Sequence, residues 1–302
     1  MNLETKWLED FLALAELRNF SRAAEVRNVT QPAFGRRIRS LEKAVGIELI
    51  DRGTTPVGLT AGGRLFRTTA RNLLRQMDDG LNQLKGYGSG FQPLEFAAAH
   101  SLSVTLLPEL ISSMSVNGAP FHSRVESIDV DLAVEALQEG RSDFLLAFNM
   151  EALMQPPFLG LSLGKTNLRP VCAPDDRGKP LFSIDEGIIA PLLKYSSASF
   201  MGRQVNSILR RLGKSASFEP VMESSLTSLL QVMALNGSGI AWLPEYSIQK
   251  ELKNTTLVDV GGLDWWCEIE VVLYRNDIRL HQSAERFWSS LLKRCNQGWS
   301  IT

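Results

Sequence analysis

Residues 86–93, GYGSGFQP, divide this chain of 302 residues into two parts with different hydrophobic periods. Before the break, apolar residues recur at helical spacing. After it, short apolar runs alternate with helical stretches. A chain split in this way cannot be one bundle or one sheet, and its length allows two or three domains. Apolar residues make up 44% and charged residues 22%, enough to build cores without a disulfide or a metal. Cys172, Cys267 and Cys295 are far apart and show no metal-ligand spacing, so they are expected as small buried apolar groups. The first residues, MNLETKWLEDF, carry acids and no long apolar run, unlike a signal peptide. No stretch of about 18 apolar residues occurs. The expectation is a cytoplasmic protein with no membrane span, no metal and no cofactor.

The net charge of −1 conceals an asymmetry. From Arg18 to Arg75 there are twelve Lys and Arg against four acids, an excess of eight, so the rest of the chain carries −9. A basic segment on an otherwise acidic protein points to nucleic acid.

Residues 6–17 place Trp7, Leu8, Phe11, Leu14 and Ala15 on one helical stripe. Ser21 is the expected N-cap of a short helix over 22–26. Thr30 is the expected cap of a longer one, from Gln31 to about Val45, with Pro32 in its first turn and Gly46 ending it. Residues 47–60 read as a hairpin with a Gly/Thr/Pro turn. From Ala61 to Leu84 runs a long amphipathic helix bearing Leu65, Phe66, Leu73, Leu74, Met77, Leu81 and Leu84. Its apolar face exceeds what one domain needs, so part of it is expected against a partner helix. Beyond residue 93, strands are expected at 94–100, 124–130, 142–149, 168–174, 217–223, 239–244 and 268–275. Helices are expected between them, with a final one over 283–295. Such alternation predicts parallel sheets covered by helices, hence an α/β class for this part.

The stretch SRAAEVRNVTQPAFGRRIRSL (21–41) is two helices joined by a short polar turn. Ala23 and Ala24 allow close approach of the first helix to its partner. The second helix is expected to turn Thr30, Gln31, Arg36, Arg37 and Arg39 away from its apolar stripe of Phe34, Ile38, Leu41 and Val45. Guanidinium groups suit bidentate contacts to guanine or phosphate, and glutamine suits adenine. In a helix-turn-helix the second helix enters the major groove.

The run from Phe11 to Phe66 resembles the N-terminal signature of LysR-type transcriptional regulators. It matches in the Ala-Ala pair, in Thr-Gln-Pro-Ala, in Arg-x-Leu-Glu (Arg39 to Glu42) and in Leu-Thr-x-x-Gly (Leu59 to Gly63). One departure is Gly35, where the family usually has a side chain. The resemblance implies a winged helix-turn-helix over 1–60, a dimerising linker helix over 61–86 and a hinge over 87–92. It implies a two-lobed effector-sensing domain, like a periplasmic binding protein, over 93–302. One lobe would be 93–166 plus 268–302, the other 167–267. It implies DNA contacts from Thr30, Gln31, Pro32, Arg36 and Arg37, and from the wing at Arg52 and the turn from Gly53 to Pro56, Thr54 included. Arg39 is a weaker candidate, because it could pair with Glu42 on its own helix. The implied partners are double-stranded operator DNA, a small effector, and copies of the chain forming a dimer and then a tetramer.

Ligands in such folds sit at strand C-termini and helix N-termini. Three hydroxyl- or glycine-rich turns are candidates: Ala99 to Ser103, Lys194 to Met201 and Asn236 to Trp242. They supply Ser101, Ser103, Ser196, Ser199, Met201, Gly239 and Trp242 as effector-binding residues. Within the family, ETKWL (4–8), AAAHSLS (97–103), IDVD (128–131), MGR (201–203) and GIAWLPEY (239–246) resemble the hypochlorite-responsive regulators of enteric bacteria. That likeness implies oxidant sensing by methionine, with Met114, Met201 and Met222 as redox candidates and Leu226 where a third methionine is expected. Oxidation turns an apolar thioether into a polar group and can shift a packed interface. A small organic anion is the alternative effector. An enzyme or solute-binding protein is the remote alternative, suggested only by His100 beside Ser101. No G-x-S-x-G elbow, Walker loop or H-E-x-x-H supports an enzyme.

Overall fold

The computed structural model describes residues 3–84, 93–114, 121–184, 188–214 and 217–301. The expected hinge, 87–92, lies outside them. Three helices open the chain: α1 (Thr5–Leu17), α2 (Phe20–Val26) and α3 (Gln31–Val45). Asn19, not Ser21, caps α2: its carboxamide oxygen accepts from the N–H groups of Ser21 and Arg22, both at 3.0 Å. Thr30 caps α3 by accepting from the Ala33 N–H, and Gly46 ends α3 at φ +85°. Phe11, Leu14, Phe34, Ile38 and Leu41 bury their side chains in one small core. Strands β1 (Ile50–Asp51) and β2 (Gly58–Leu59) pair antiparallel as the hairpin.

Helix α4 (Ala61–Leu84) follows at once. Thr60 caps it through the Gly63 N–H at 2.9 Å. A Cβ on Gly63 would lie 2.0 Å from the carbonyl oxygen of Leu49, so only glycine lets this helix start against the hairpin. Leu65, Leu73, Met77, Leu81 and Leu84 stay exposed along α4.

The remainder is built on one nine-stranded sheet. Its elements are β3 (Leu94–Ala99), α5 (His100–Ser113), β4 (Ser123–Ile128), α6 (Val130–Gln138), β5 (Phe144–Phe148) and β6 (Phe158–Cys172). There follow β7 (Ala190–Tyr195), α7 (Phe200–Arg211), β8 (Phe218–Ser224), α8 (Thr227–Leu235), β9 (Ile240–Pro244) and α9 (Glu245–Lys253). The chain closes with β10 (Val258–Asp259), β11 (Cys267–Asn276) and α10 (Gln282–Asn296). The strand order is β4-β3-β5-β11-β6-β9-β7-β8, with β10 on β6. Parallel pairing joins β4, β3 and β5 at one end and β8, β7 and β9 at the other. The sheet is mixed rather than parallel throughout, because β11 runs antiparallel to both β5 and β6, and β6 antiparallel to β9. The long strands β6 and β11 therefore carry the chain between two α/β halves. Strand β6 begins ten residues before the strand expected at 168.

Candidate nucleic-acid interface and effector cleft

Helix α3 exposes Thr30, Gln31, Pro32, Arg36 and Arg39. Gln31, Pro32, Gly35 and Arg39 line one concave surface with Phe20 and Arg52. A Cβ on Gly35 would meet nothing within 4 Å, so no packing contact requires that glycine. Arg36 and Arg39 point to solvent with no partner among the described residues.

Two of the expected contacts are engaged inside the domain instead. The Arg37 guanidinium donates to Asp10 at 3.2 Å, and Arg27 donates to the same carboxylate at 2.8 Å. Asp10 is fully buried on α1. An ionised carboxylate there is tolerated only because two cations reach it. Arg37 is thus turned inward, contrary to the outward direction its helix position suggests. Arg52, not Arg39, pairs with Glu42, at 2.6 Å. Glu42 also accepts from the N–H groups of Leu49 and Ile50, at 3.0 and 3.1 Å. Burial raises the Glu42 pKa, but Arg52 and these two N–H groups outweigh it and hold the carboxyl below its usual range. The pair ties the recognition helix to the hairpin. Thr54 sits exposed in the hairpin turn, its hydroxyl 3.4 Å from the Asp51 carbonyl oxygen.

A cleft of about 210 Å³ opens between the two halves of the sheet. Ala99, His100 and Ser101, then Ile128, Asp129 and Val130, line it from one half, with Phe148. Ser196, Ala198, Ser199, Phe200, Met201, Ser225 and Thr227 line it from the other. Four helices, α5, α6, α7 and α8, begin at this cleft. Ser199 caps α7 through the Gly202 N–H at 3.0 Å, whereas α5, α6 and α8 have no side-chain cap. Their first N–H groups supply positive partial charge. Among the described residues no Lys or Arg lines the cleft. Phe148 and Phe200 stack across it at 4.7 Å between ring centroids. A Cβ on Gly202 would lie 2.1 Å from the Ser196 carbonyl oxygen, so the Met-Gly pair lets α7 close on the serine turn.

Ser101, Ser196, Ser199 and Met201 therefore come together, and the other candidates do not. Ser103 bonds the His100 carbonyl at 2.9 Å and Ser127 at 2.7 Å, turned toward β4. Trp242 is buried beside Phe218 and Trp265 and donates to the Trp265 carbonyl at 3.0 Å. A Cβ on Gly239 would lie 2.8 Å from the Pro191 carbonyl oxygen, and that close approach accounts for the glycine. Gly239 immediately precedes β9 and Trp242 lies within it, whereas the cleft forms where strands end and helices begin. Met114 is buried at the far end of α5, where its sulfur accepts from Arg294 at 3.7 Å. Met222 packs on the core from β8. Neither lines the cleft.

The same strand-end rule would have found Asp129 and Thr227. Tyr246, at the start of α9, was visible only in three dimensions: its hydroxyl donates to Ser101 at 2.9 Å and links the two halves. Ser101 is thus engaged by Tyr246, while His100 Nδ1 lies 2.9 Å from Ser127, so His100 and Ser101 are not a base and nucleophile. Among the described residues no helix is long and apolar enough to cross a membrane, and no acidic, His or Cys cluster could hold a metal.

Two family models match this architecture. Residues 5–64 match the bacterial regulatory helix-turn-helix protein of the lysR family, and residues 90–296 match the LysR substrate binding domain. The chain is a LysR-type transcriptional regulator. It is 46% identical over 292 residues to the HTH-type transcriptional regulator YjiE of Escherichia coli K12, covering 96% of this chain and 94% of YjiE. Full-length HypT of Salmonella typhimurium, a hypochlorite-specific LysR-type regulator, is 44% identical with a TM-score of 0.63, covering 97% of this chain and 99% of HypT. The regulatory domain of HypT has also been solved with bromide bound, at 39% identity and a TM-score of 0.62, covering 68% of this chain and 97% of that domain. Vibrio fischeri DarR, solved in complex with DNA, is 45% identical with a TM-score of 0.61, covering 96% of this chain and 99% of DarR. The protein is therefore a DNA-binding regulator with a small-molecule-binding domain, and its family members are regulators rather than enzymes.

Proposed function

We propose that this LysR-type regulator senses a small oxidant, hypochlorite in particular, in the cleft between its two halves, with Met201 as the reacting residue. The observation that carries this reading is the position of Met201. Among the described residues it is the one methionine lining the cleft, directly after the Ser196 and Ser199 turn and against helix N-termini that favour an anion. Hypochlorite would transfer its oxygen to the thioether sulfur and leave as chloride, giving a sulfoxide. Met201 is only 5% exposed, so the new polar oxygen would enter a packed wall of the cleft and force it to rearrange. The likeness to HypT supports the choice of oxidant, and the bromide-bound form of its regulatory domain supports an anion site. DNA contacts are assigned to Thr30, Gln31, Pro32, Arg36 and Arg39, with Thr54 at the wing; Arg37 and Arg52, held by Asp10 and Glu42, are assigned to the domain's own structure. The exposed leucines of α4 are assigned to a dimer, from which a tetramer is assembled.

The size of the cleft favours a second reading. About 210 Å³ exceeds what a halide needs and falls below the roughly 300–1,000 Å³ of pockets for drug-sized ligands. A small carboxylate fits. The deciding experiment uses DNA duplexes that the full-length protein selects from random sequence. Hypochlorite should change their affinity for wild type and leave Met201→Ile unchanged, with Met201 sulfoxide seen by mass spectrometry. An equal response from both proteins would remove the oxidant reading.

A further inference from the structure

Helix α6 begins in the cleft and ends against α4. Ile128, Asp129 and Val130 line the cleft at its start. Nine residues later, about 14 Å along the helix axis, the segment Glu139 to Asp143 meets the linker helix. There α4 presents Arg67, Arg71 and Arg75, spaced four residues apart on one face. Arg67 donates to Glu139 at 3.0 Å, and Arg18, just past α1, reaches the same carboxylate at 3.3 Å. Arg71 donates to the Gly140 carbonyl. Arg75 bonds Asp143 at 3.0 Å. The other oxygen of Asp143 accepts from the Glu95 N–H at 2.9 Å and lies 3.0 Å from His281 Nε2. The backbones also meet. Gly140 has φ +64°, and a Cβ on it would lie 2.8 Å from the Cα of Thr68.

This junction is ionic and costly. Burial pushes the Arg67 guanidinium down and takes Arg71 to about 10. Arg67 Nε and His281 Nδ1 are buried without hydrogen-bond partners among the described residues. An apolar face would hold two elements together at less expense. Polar junctions between domains are those that open and shift. This one joins a short helix that runs from the cleft to the linker helix.

We propose that Glu139, Gly140 and Asp143 are positioning residues for DNA binding. They hold α4, and through it the recognition helix, in the orientation that the cleft imposes through α6. The cleft end of this connection rests on the effector reading above, whereas the α4 end rests on the contacts alone. Glu139 is bonded to Arg18 and Arg67, and Arg75 to Asp143, and neither is among the residues assigned to DNA, so a change in operator affinity on altering them reports position rather than lost contact.

The test uses the full-length chain and the duplexes it selects. Glu139→Gln and Arg75→Gln should each shift operator Kd about fivefold or more, and Arg75→Lys, which keeps the cation, should stay near wild type. In Glu139→Gln, backbone amides over residues 128–134 should exchange hydrogen faster than in wild type. If Glu139→Gln and Arg75→Gln both retain wild-type Kd, or if faster exchange stops short of residues 128–134, the proposal is overturned. If these shifts occur while hypochlorite alters neither operator Kd nor α6 exchange in wild type, the junction stands and the oxidant reading fails.

Discussion

Arg36 and Arg37 are neighbours on the recognition helix, yet the structure predicts that removing them does different things. Arg36 is exposed, whereas Arg37 shares the fully buried Asp10 with Arg27. Arg37→Ala withdraws one of two cations from a carboxylate that cannot reach water. Hydrogen bonds to charged groups contribute about 1.5–3 kcal/mol. Because Arg27 remains, the low end applies, about 1.5 kcal/mol. For a domain of about 60 residues this lowers its melting temperature by about 6–12 °C. Arg36→Ala breaks no internal bond and should change melting by under about 0.5 kcal/mol. Its cost falls on DNA: about 1–3 kcal/mol if it reads a base, or a uniform loss with a smaller salt slope if it meets phosphate. Calorimetric melting of the two variants, beside fluorescence anisotropy on a selected duplex, separates the effects. Wild-type melting in Arg37→Ala would refute the buried-pair argument. Wild-type affinity in Arg36→Ala would remove Arg36 from the interface.

Gly35 within α3 and Gly63 at the start of α4 should respond in opposite directions. Gly35→Ala should stabilise α3 by about 0.5–1 kcal/mol, since nothing lies within 4 Å of the new Cβ. Gly63→Ala should cost about 2–3 kcal/mol, because its Cβ collides with the Leu49 backbone; equal melting points for these two variants would contradict both. Glu42 has a folded pKa below its unfolded one, so its stabilisation is present above the unfolded value and is lost as pH falls through the folded value. Urea melts between about pH 5 and pH 3 should therefore show a steeper loss of stability in wild type than in Glu42→Gln. Salt dependence tests how many cations reach DNA. Arg22, Arg36, Arg39 and Lys43 are exposed on α2 and α3, with no ion pair to another side chain among the described residues. Four phosphate contacts per protomer give a slope of log K against log salt of about −3.6, or about −7 for a dimer, and a slope near −1 would exclude them.

The helices of the DNA-binding domain are legible because each carries a period and, for α3, end signals: Thr30 before it, Pro32 in its first turn, Gly46 after it. Asp10 is not, since an acid next to Phe11 reads as a solvent-facing residue until Arg27 and Arg37 converge on it from two other helices. The first ten residues of β6 escaped because Gly160, Gly164 and two prolines just before it resemble a loop. The strand becomes evident only when β11 pairs along its length. In the sensing half, the rule that ligands sit where strands end picks out Ser101, Ser196, Ser199 and Met201, and these four line one cavity. It does not reach the cleft at Gly239, which precedes β9, or at Trp242, which lies within it; their glycine and aromatic character serves packing against Pro191 and Trp265.

The basic run from Arg18 to Arg75 looks in sequence like a single electrostatic footprint for DNA, but the fold divides it. Arg27, Arg37 and Arg52 are bound to acids inside the DNA-binding domain. Arg18, Arg67 and Arg75 are bound to acids of the sensing domain, and Arg71 to a carbonyl there. What remains for a duplex lies mainly on α3. The acidic balance of the sensing half is matched by this division, since Glu139 and Asp143 receive cations that its cleft does not contain. A regulator must couple the two sites without letting either charge pattern dominate the other. Among the described residues the cleft offers an anion helix N-termini, hydroxyls and the His100 imidazole, beside the Asp129 carboxylate, while Arg67, Arg71 and Arg75 are bonded on the linker helix to Glu139, Gly140 and Asp143 of the sensing domain.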